Sequence, residues 1–530
     1  MIKNKKILLI CKETFSFPLY FLGKELEKNN NEVHYFFINS SDVTHKNVFN
    51  KYTYFYFKEK IKNENIHDVK DLNLEFYKQR KKIQLNHDRL KEIEENFTFF
   101  KGLNNQILSS QMTSTPYHDR NYYPESTYEE NCYWLTLNYN KTEEVLSSVK
   151  PDFIFDIDVE EIQRTIINEV AFYLGIPYVT IEEPRYKMFI IPTFNLGLQL
   201  EEYFIDAYEN NKNQVSMLEK YINEVKDYRR KTNIVSDMYK DLMINSRSFN
   251  LFDMFKNILI KTYRFMKSAV PEFINKKKFM HFNTSLSSNS FKKLLWHYNF
   301  SFRKFYLYSN LNNLFVSPEN EKYAYMPLHV IPESTTFVKA PMYVNELSNI
   351  HAVAKSLPIG WKLYVKEHPA MIGERKLDFY KNVNKIPNVK LVITNFYKDP
   401  KSWIEKSSVV ITIAGTSAFE ASMLNVPAIV LGNVSYNVLS NIKMIRSYDD
   451  FEKLFKLIES NKWIKDSTIE CAAYLKTITE VGTNLDYNQL IKLASKKIHS
   501  QPLSQIEEKD FKNLLNLLIN FFENATKIYN

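Results

Sequence analysis

The second half of the chain alternates between short apolar runs and amphipathic stretches with helical spacing. From about residue 322, the runs KYAYMPLHV, WKLYVKEHP, VKLVIT, SVVITIA and PAIVLG predict strands, and the segments between them predict helices. Right-handed crossovers would join such strands into a doubly wound parallel sheet that binds ligands at the carboxyl ends of its strands. We therefore predict an α/β domain at residues 316–450.

The first 200 residues show the same pattern in a more interrupted form. KKILLIC and NEVHYFFIN predict strands around an amphipathic helix, and PDFIFDIDVE and IPYVTIEEPRY predict strands around the helix QRTIINEVAFYLG, which Gly175 closes. Between them, residues 55–145 are polar and mostly helical, with a turn-rich centre at TSTPYHDRNYYPES. We predict an N-terminal α/β domain at 1–200 with a helical insertion at about 55–145.

Two further helical regions complete the predicted organisation. Residues 201–315 form long basic helices between the two domains, and residues 451–530 end in the amphipathic KDFKNLLNLLINFFENATKIY. The predicted fold class is α/β, with two Rossmann-like half-domains facing a cleft, a helical insertion and C-terminal helices. This arrangement resembles the GT-B fold of nucleotide-sugar glycosyltransferases. The pattern alone leaves epimerases and periplasmic binding proteins open, since these also place two α/β domains around a cleft.

Composition narrows the class of protein further. The 530 residues are 44% hydrophobic and hold three widely spaced cysteines, which give neither a disulfide framework nor a zinc-binding spacing. No apolar run approaches the roughly 20 residues that a membrane-spanning helix needs, and the N-terminal run KKILLIC lacks signal-peptide features. We expect a cytoplasmic protein in a reducing compartment.

The net charge of +9 arises mainly in one segment. Between Phe255 and Phe305, eleven Lys and Arg residues stand against one acid, Glu272, and aromatic residues are interleaved with them. Such a stretch can lie on an anionic membrane surface or hold a polyanion, and it can equally be a solvated helical insertion. We expect the inner-membrane surface as a partner, which makes the location peripheral to that membrane, and we expect no nucleic acid.

The strand WKLYVKEHP ends on three ionisable side chains, Lys366, Glu367 and His368, before Pro369 stops the pairing. Side chains at this end of a parallel strand lie at the ligand-binding edge of the sheet. A glutamate beside a histidine offers acid–base chemistry, because histidine titrates near physiological pH. The structural alternative is that His368 caps a loop and Glu367 pairs with Lys366.

A second candidate is the turn in ITIAGTSAFEASMLN, where Gly415, Thr416 and Ser417 join a strand to a helix. Backbone N–H groups at a helix start form an anion site, and Glu420, one turn later, would accept a ribose or sugar hydroxyl. The alternative is an ordinary N-cap at Ser417 with Glu420 as its capping-box partner. The chain has no GxGxxG or GxxxxGK[ST] motif, which disfavours dinucleotide redox and P-loop chemistry.

A third strand end falls on the same predicted rim. In YMPLHVIPEST, His329 and Glu333 follow the first strand of the second domain. Because carboxyl ends of neighbouring parallel strands meet at one edge, we expect these strand ends to share one crevice. The residues assigned to donor binding are His329, Lys366, Gly415, Thr416, Ser417 and Glu420.

The stretches PLHVIPEST, KLYVKEHP and VVITIAGTSAFEASMLNVPAIVLG resemble the capsule polysaccharide biosynthesis proteins, which are bacterial cytoplasmic glycosyltransferases related to the Kdo transferases of the capsule lipid linker. The resemblance covers about residues 320–450. It implies that two elements line a nucleotide-sugar cleft, with Glu367 and His368 in the first and Gly415, Thr416, Ser417 and Glu420 in the second. It also implies a nucleotide sugar as substrate, with no cofactor.

The N-terminal half shares only general architecture with that family, so its candidate residues rest on strand-end position. Glu182, Glu183 and Arg185 follow one predicted strand, and Asp156 and Asp158 lie in FIFDIDVE at another. We take Glu183 and Asp158, together with Glu367 and His368, as catalytic candidates, because an acidic group would activate the acceptor hydroxyl. We expect no metal site, although the Asp-Ile-Asp spacing keeps one open.

The resulting prediction is a GT-B-like, metal-independent glycosyltransferase of capsule or surface polysaccharide biosynthesis. It would transfer a sugar such as Kdo from a nucleotide sugar to a glycan or lipid-linked acceptor. The enzymatic alternative is a polyol-phosphate transferase of the teichoic-acid type that uses CDP-glycerol. The alternative from another class is a non-catalytic scaffold subunit of the capsule machinery.

Overall fold

The computed structural model describes residues 2–38, 53–79, 82–98, 102–109, 127–159, 162–231, 249–274, 290–331, 336, 338–392, 399–463 and 466–529. The turn-rich stretch TSTPYHDRNYYPES, the lysines at 276–278 and Glu333 lie outside these residues.

The described residues form thirteen strands, named β1 to β13 in chain order. They span Lys6–Cys11, Glu32–Phe37, Ile66–Asp68, Phe153–Phe155, Tyr178–Glu182, Phe189–Thr193, Tyr323–Pro327, Lys362–Lys366, Val389–Val392, Val409–Thr412, Ala428–Val430, Ile442–Met444 and Thr483–Asn484.

The described α-helices connect and cover these strands. They span Ser16–Glu27, Thr53–Lys60, Lys70–Gln79, His87–Asn96, Leu103–Ser109, Tyr128–Val149, Ile162–Tyr173, Glu202–Asn213, Glu219–Arg230, Leu251–Ile274, Ser290–Ser309, Leu311–Leu314, Glu346–Ser356, Leu377–Asn384, Lys401–Glu405, Ser417–Met423, Asp450–Glu459, Thr468–Val481, Tyr487–Ile498 and Gln505–Tyr529.

The N-terminal sheet has the order β13-β6-β5-β4-β1-β2-β3, in which β1 to β5 are parallel, β6 is antiparallel to β5, and β13 is antiparallel to β6. Successive side chains of β1 bury on opposite faces, as alternation along a strand requires. Ile7 and Leu9 pack into one apolar cluster and Leu8 and Ile10 into another. Helices therefore cover both faces of this sheet, which is why β1 reads as a continuous apolar run.

The C-terminal sheet has the order β12-β11-β10-β7-β8-β9, and all its strands are parallel. Counted from β7, this is the doubly wound order, in which chain direction across the sheet reverses between β7 and β10. The α/β fold class with two Rossmann-like sheets is confirmed. The carboxyl ends of β7 and β10 form the topological switch point, where a ligand-binding crevice opens in such sheets.

Several elements differ from the sequence prediction in extent. The strand predicted from PDFIFDIDVE is only β4, Phe153–Phe155, and the helix predicted from DPKSWIEKSS is only Lys401–Glu405. Gly175 has φ +66° just beyond the helix Ile162–Tyr173, as its predicted closing position requires. The strands β3, β6, β12 and β13 were absent from the prediction, because IHD, IKM and TN contain polar residues and FIIPT contains a proline, so that none reads as an apolar run.

The end of the chain returns to the N-terminal sheet. Strand β13 pairs with β6, and the helices Tyr487–Ile498 and Gln505–Tyr529 contribute Leu490, Leu518 and Phe522 to the cluster that contains Ile7. The helix Thr468–Val481, which precedes these two helices in the chain, packs with Tyr208 in the apolar cluster of the C-terminal sheet. Residues 468–529 therefore connect the two sheets physically.

The basic helical region divides into two parts. The helices Glu202–Asn213 and Glu219–Arg230 contribute Phe204 and Val225 to the core of the C-terminal sheet. The helices Leu251–Ile274 and Ser290–Ser309 pack against each other through hydrogen bonds at 3.0 Å from Asn257 to Ser301 and 2.6 Å between Thr262 and Tyr298. None of the helices in the described part of the chain is long and apolar enough to cross a membrane.

Candidate functional site

The site lies at the switch point of the C-terminal sheet, where His329 follows β7 and Gly415 follows β10. The buried imidazole of His329 places Nε2 3.0 Å from Oγ1 of Thr412, and the same oxygen accepts the N–H of Gly415 at 3.1 Å. A Cβ at Gly415 would lie 2.5 Å from Oγ1 of Thr412 and 3.1 Å from Nε2 of His329. Close packing therefore favours glycine at this position. The sequence analysis had explained Gly415 by anion binding instead.

Glu367 is enclosed just beyond the carboxyl end of β8. Its side chain is 1% exposed, and its oxygens accept from the N–H of His368 at 2.7 Å, from Nε of Arg375 at 2.8 Å and from the hydroxyl of Tyr380 at 2.8 Å. Burial raises the pKa of Glu367, and the charge of Arg375 offsets part of that shift. The ion-pair partner of Glu367 is thus Arg375, whereas the structural alternative in the sequence analysis named Lys366.

Arg375 holds this edge of the crevice together and was not recognised in the sequence. Its guanidinium lies 2.5 Å from Glu346 and 2.8 Å from Glu367, and it donates to the carbonyl of His329 at 2.9 Å. Glu346 in turn accepts the N–H of His329 at 2.8 Å. Burial acts to raise the pKa of Glu346, but Arg375 and His329 outweigh it and lower that pKa. One buried guanidinium thereby fixes the backbone of His329.

His368 caps the single turn of 3₁₀ helix Pro369–Met371. Its Nδ1 accepts the N–H of Ala370 at 3.2 Å, so a neutral ring carries its proton on Nε2. Burial lowers the pKa of His368 to about 4, and the positive charge of Lys366 acts in the same direction. The ring is therefore neutral at physiological pH and can donate a hydrogen bond. This geometry matches the structural alternative of the sequence analysis, in which His368 caps a loop.

Lys366 is the most unusual charge of the site. It is 8% exposed, and among the residues that the structure describes no acceptor or carboxylate contacts its amine. Burial lowers the pKa of Lys366 to about 8, while the charges of Glu420 and Asp399 act in the opposite direction. A buried ammonium without a contacting counter-ion is costly, and a bound anion would offset that cost.

Glu420 supplies the opposite charge nearby. It is half-buried on the helix Ser417–Met423, and burial together with Asp399 raises its pKa to about 7, with Lys366 and Arg185 acting to lower it. Asp399 was not named in the sequence analysis. Near neutral pH the Glu420 carboxyl therefore exchanges between a hydrogen-bond donor and an acceptor form, both of which suit a hydroxyl group.

The helix start after β10 departs from the capping box that the sequence analysis gave as the structural alternative. Ser417 is the first helical residue, and Thr416 at the cap position has helical backbone angles and makes no side-chain cap hydrogen bond. The hydroxyl oxygen of Ser417 is buried and has no hydrogen-bond partner in the described part of the chain. With only seven residues in the helix, its dipole is a minor contribution, and the unpaired hydroxyl is the more specific feature.

The N-terminal sheet contributes the loop after β5. Arg185 has φ +64° and donates to Glu183 at 2.8 Å, and its charge acts on Glu420 across the two sheets. The Glu183 side chain is 60% exposed. Glu182 faces away from solvent and accepts from Lys339 at 3.2 Å and from the N–H of Ser435 at 3.0 Å. Glu182 thus joins the two sheets. Arg185 is the residue from the N-terminal sheet whose charge acts on Glu420.

The aspartates of FIFDIDVE form a buried ion cluster. Asp156 accepts from Nε of Arg164 at 2.7 Å and from the hydroxyl of Tyr178 at 2.6 Å, and Arg164 lies 3.3 Å from Asp158. Burial raises the pKa of Asp156, against the effect of Arg164. The described residues contain no group of three His, Cys, Asp or Glu placed to hold a metal ion. Arginine occupies the space between the two carboxylates that the metal alternative required.

No family model and no curated protein matches the chain. Among solved structures it is similar to the Thermosulfurimonas dismutans KpsC β-Kdo 2,4 transferase, at 12% identity and TM-score 0.31, over 69% of this chain and 87% of that one. It is similar to S. aureus MnaA with UDP, at 13% identity and TM-score 0.25, over 94% and 99%. A third is Neisseria meningitidis UDP-GlcNAc 2-epimerase, at 12% identity and TM-score 0.23, over 90% and 100%.

Proposed function

We propose that the chain is a GT-B-type glycosyltransferase of bacterial surface polysaccharide assembly that takes a nucleotide-sugar donor. The observation that carries the proposal is Lys366, a buried cation at the carboxyl end of β8 whose amine no described side chain neutralises by contact. A phosphate group of the donor would supply the negative charge that neutralises this amine. The resemblance of the strand ends to capsule polysaccharide proteins gives the proposal its substrate class.

In this proposal each polar group of the crevice has one task. Lys366 and Arg185 bind the donor phosphates from the two sheets, and charge that develops on the leaving nucleotide is stabilised there. The Nε2–H of His368 and the hydroxyl of Ser417 donate hydrogen bonds to phosphate oxygens. Glu420 binds a hydroxyl of the ribose or sugar.

Glu367 takes a different task from the catalytic one that its motif predicted. An enclosed carboxylate with three donors cannot reach a substrate, so we assign Glu367, with Glu346 and Arg375, to positioning His329 and His368. For activation of the acceptor hydroxyl, Glu183 is preferred to Asp158. Glu183 is solvent-accessible, whereas the Asp158 side chain is 13% exposed and paired with Arg164. No metal ion or cofactor takes part in this proposal.

A ligand screen on the full chain tests the function. Calorimetric titration and thermal unfolding with CMP, UDP, CMP-Kdo, UDP-sugars and CDP-glycerol should reveal stabilisation by a nucleotide or its sugar, since a ligand of the native state raises its apparent stability. A product assay with the binding donor then separates sugar transfer from polyol-phosphate transfer. Binding without any product would favour the scaffold alternative.

The matched variants are Lys366→Met and Lys362→Met, which lie at opposite ends of β8. We expect Lys366→Met to weaken donor binding at least about tenfold, because a charge-assisted contact to phosphate is lost. Its ligand-free stability should stay level or rise, since a buried charge that no described acceptor contacts is removed. Lys362→Met should bind the donor normally. Unchanged donor affinity in Lys366→Met contradicts the proposed site.

A further inference from the structure

The helix Leu251–Ile274 carries a continuous apolar stripe that nothing in the described part of the chain covers. Five large side chains along it are between 54% and 73% exposed, at spacings of three and four residues: Phe252, Phe255, Leu259, Tyr263 and Met266. At about 1.5 Å rise per residue, the stripe is roughly 21 Å long. Soluble monomers rarely expose so many large apolar side chains in one patch, and such patches mark interaction surfaces.

The opposite face of this helix is already occupied. Met254 is buried, Asn257 bonds to Ser301, and Thr262 bonds to Tyr298 on the neighbouring helix Ser290–Ser309. The helix therefore cannot rotate its apolar stripe inward without losing these contacts. The exposed stripe is a fixed outer surface of the helical pair.

Cations flank the stripe. Lys256, Arg264 and Lys267 are exposed on the same helix, and none has an ion-pair partner among the described residues. The acidic side chain that is described on this helix, Asp253, accepts the N–H of Asn250 at the helix start. The described outer side of this helix thus combines large apolar and aromatic groups with three cations and one partly exposed acid, Asp253, at the helix start.

We propose that this face binds the surface of an anionic lipid bilayer. Phe252, Leu259 and the other apolar side chains would enter the boundary between headgroups and acyl chains, and the three cations would lie at the level of the anionic headgroups. Tyr263 suits that depth because its ring is apolar and its hydroxyl reaches water. Charge complementarity favours lipid over a second copy of the chain, since two such faces would bring together six described cations and two described acids, the latter both at helix starts.

The helical pair also contacts the loop that follows β8. Arg303 donates to the carbonyl of Gly373 at 2.9 Å and of Glu374 at 3.2 Å, directly before Arg375. A Cβ at Gly373 would lie 2.8 Å from the side chain of Lys304, so the contact is close. The proposed lipid-binding face is therefore attached to the segment that shapes the crevice, which suits an acceptor carried in the bilayer.

Vesicle sedimentation with the full chain tests this surface without reference to turnover. We expect binding to phosphatidylcholine vesicles that contain phosphatidylglycerol, and much weaker binding to phosphatidylcholine alone. The double variant Phe252→Ser/Leu259→Ser should lower the partition constant by more than about tenfold, because burial of two large apolar side chains is lost. Phe172→Ser is the control, since Phe172 is 75% exposed on another helix.

Charge is tested separately. The triple variant Lys256→Gln/Arg264→Gln/Lys267→Gln should weaken binding to the anionic vesicles by about a hundredfold, at about fivefold for each cation. Absence of vesicle binding, or equal binding by the wild type and the Phe252→Ser/Leu259→Ser variant, overturns the proposal. A concentration-dependent dimer that the same double variant dissociates also overturns it, in favour of self-association. Nucleotide binding should be unchanged in all these variants, so failure here is distinct from failure of the proposed function.

Discussion

At the scale of single residues, the site is organised by one buried arginine between two carboxylates. Replacing Arg375 with methionine leaves Glu346 and Glu367 buried without their cation, so we expect a loss of about 3–5 kcal/mol in the free energy of unfolding. Urea unfolding followed by circular dichroism measures it. Arg446→Met is the control, because Arg446 is exposed, and its effect should stay within about 0.5 kcal/mol. Equal effects of the two substitutions would contradict the positioning role.

The ionisation of Lys366 gives the site a pH dependence. Its lowered pKa of about 8 means that the ammonium form falls from about nine-tenths at pH 7 to about one-tenth at pH 9. Affinity for a UDP-sugar, whose two esterified phosphates stay ionised throughout this range, should therefore fall up to about tenfold between pH 7 and pH 9. Isothermal titration at the two pH values checks this. The Lys366→Met variant should lose this tenfold fall, and a slope that remains is assigned to Glu420, whose pKa is about 7. A tenfold fall that persists in the variant contradicts the role of Lys366.

The same group also links pH to folding. An unfolded chain holds the Lys366 proton up to its ordinary pKa near 10.5, whereas the native state releases it near 8. The unfolded state binds more protons between these values, so this lysine makes the native state relatively more stable as pH rises through 8. Glu420 has the opposite effect: its native pKa of about 7 lies above the ordinary 4.5, and its relative stabilisation is lost as pH rises through 7.

Individual residues also show where sequence reasoning ends. His329, Lys366, Ser417 and Glu420 could be proposed because motif and strand-end position identify them. Arg375 and Asp399 could not, since no local pattern distinguishes an arginine that bridges two buried carboxylates from one in solvent. The enclosure of Glu367 could not be predicted from its motif, because burial depends on the neighbouring Tyr380 and Glu346.

At the scale of elements, the parallel strands were predictable because each is an apolar run bounded by turn residues. The pairing of β13 with β6 was not, since a two-residue strand has no sequence signal and its partner lies about 290 residues earlier. The amphipathic pattern of the helix Gln505–Tyr529 predicted a buried face. It did not predict that this face packs on the N-terminal sheet, because any apolar surface would satisfy the pattern.

One aromatic pair makes this packing testable. The ring of Phe522 stacks on Phe155 of β4 with centroids 4.4 Å apart, and both side chains are fully buried. Phe522→Ala should lower the free energy of unfolding by about 3–5 kcal/mol, through lost burial and a residual cavity. Ile506→Ala on the same helix is the control, because Ile506 is 74% exposed. Equal destabilisation by the two substitutions would mean that the helix is not packed on β4.

At the scale of the whole molecule, the two sheets meet through polar contacts as well as apolar ones. Glu182 accepts from Lys339 and Ser435, the side-chain amide of Asn433 donates to the carbonyl of Gly197 at 3.1 Å, and Tyr474 donates to the carbonyl of Pro184 at 2.9 Å. These contacts place the loop with Arg185 next to the C-terminal crevice. The sequence pattern predicted two domains and a cleft. The residues that join the two domains could be identified only from the tertiary structure.

The return of the chain end to the first sheet has a consequence for biosynthesis. The cluster around Ile7 is complete only after the helices Tyr487–Ile498 and Gln505–Tyr529 have been made. Their residues, among them Leu490, Leu518 and Phe522, leave the ribosome long after β6. At about 5–20 residues per second, roughly 17–67 s pass between translation of Thr193 and of Tyr529. During that interval one apolar side of the nascent first domain stays open. Chaperone occupancy should therefore persist on ribosome-bound chains until the last helix emerges.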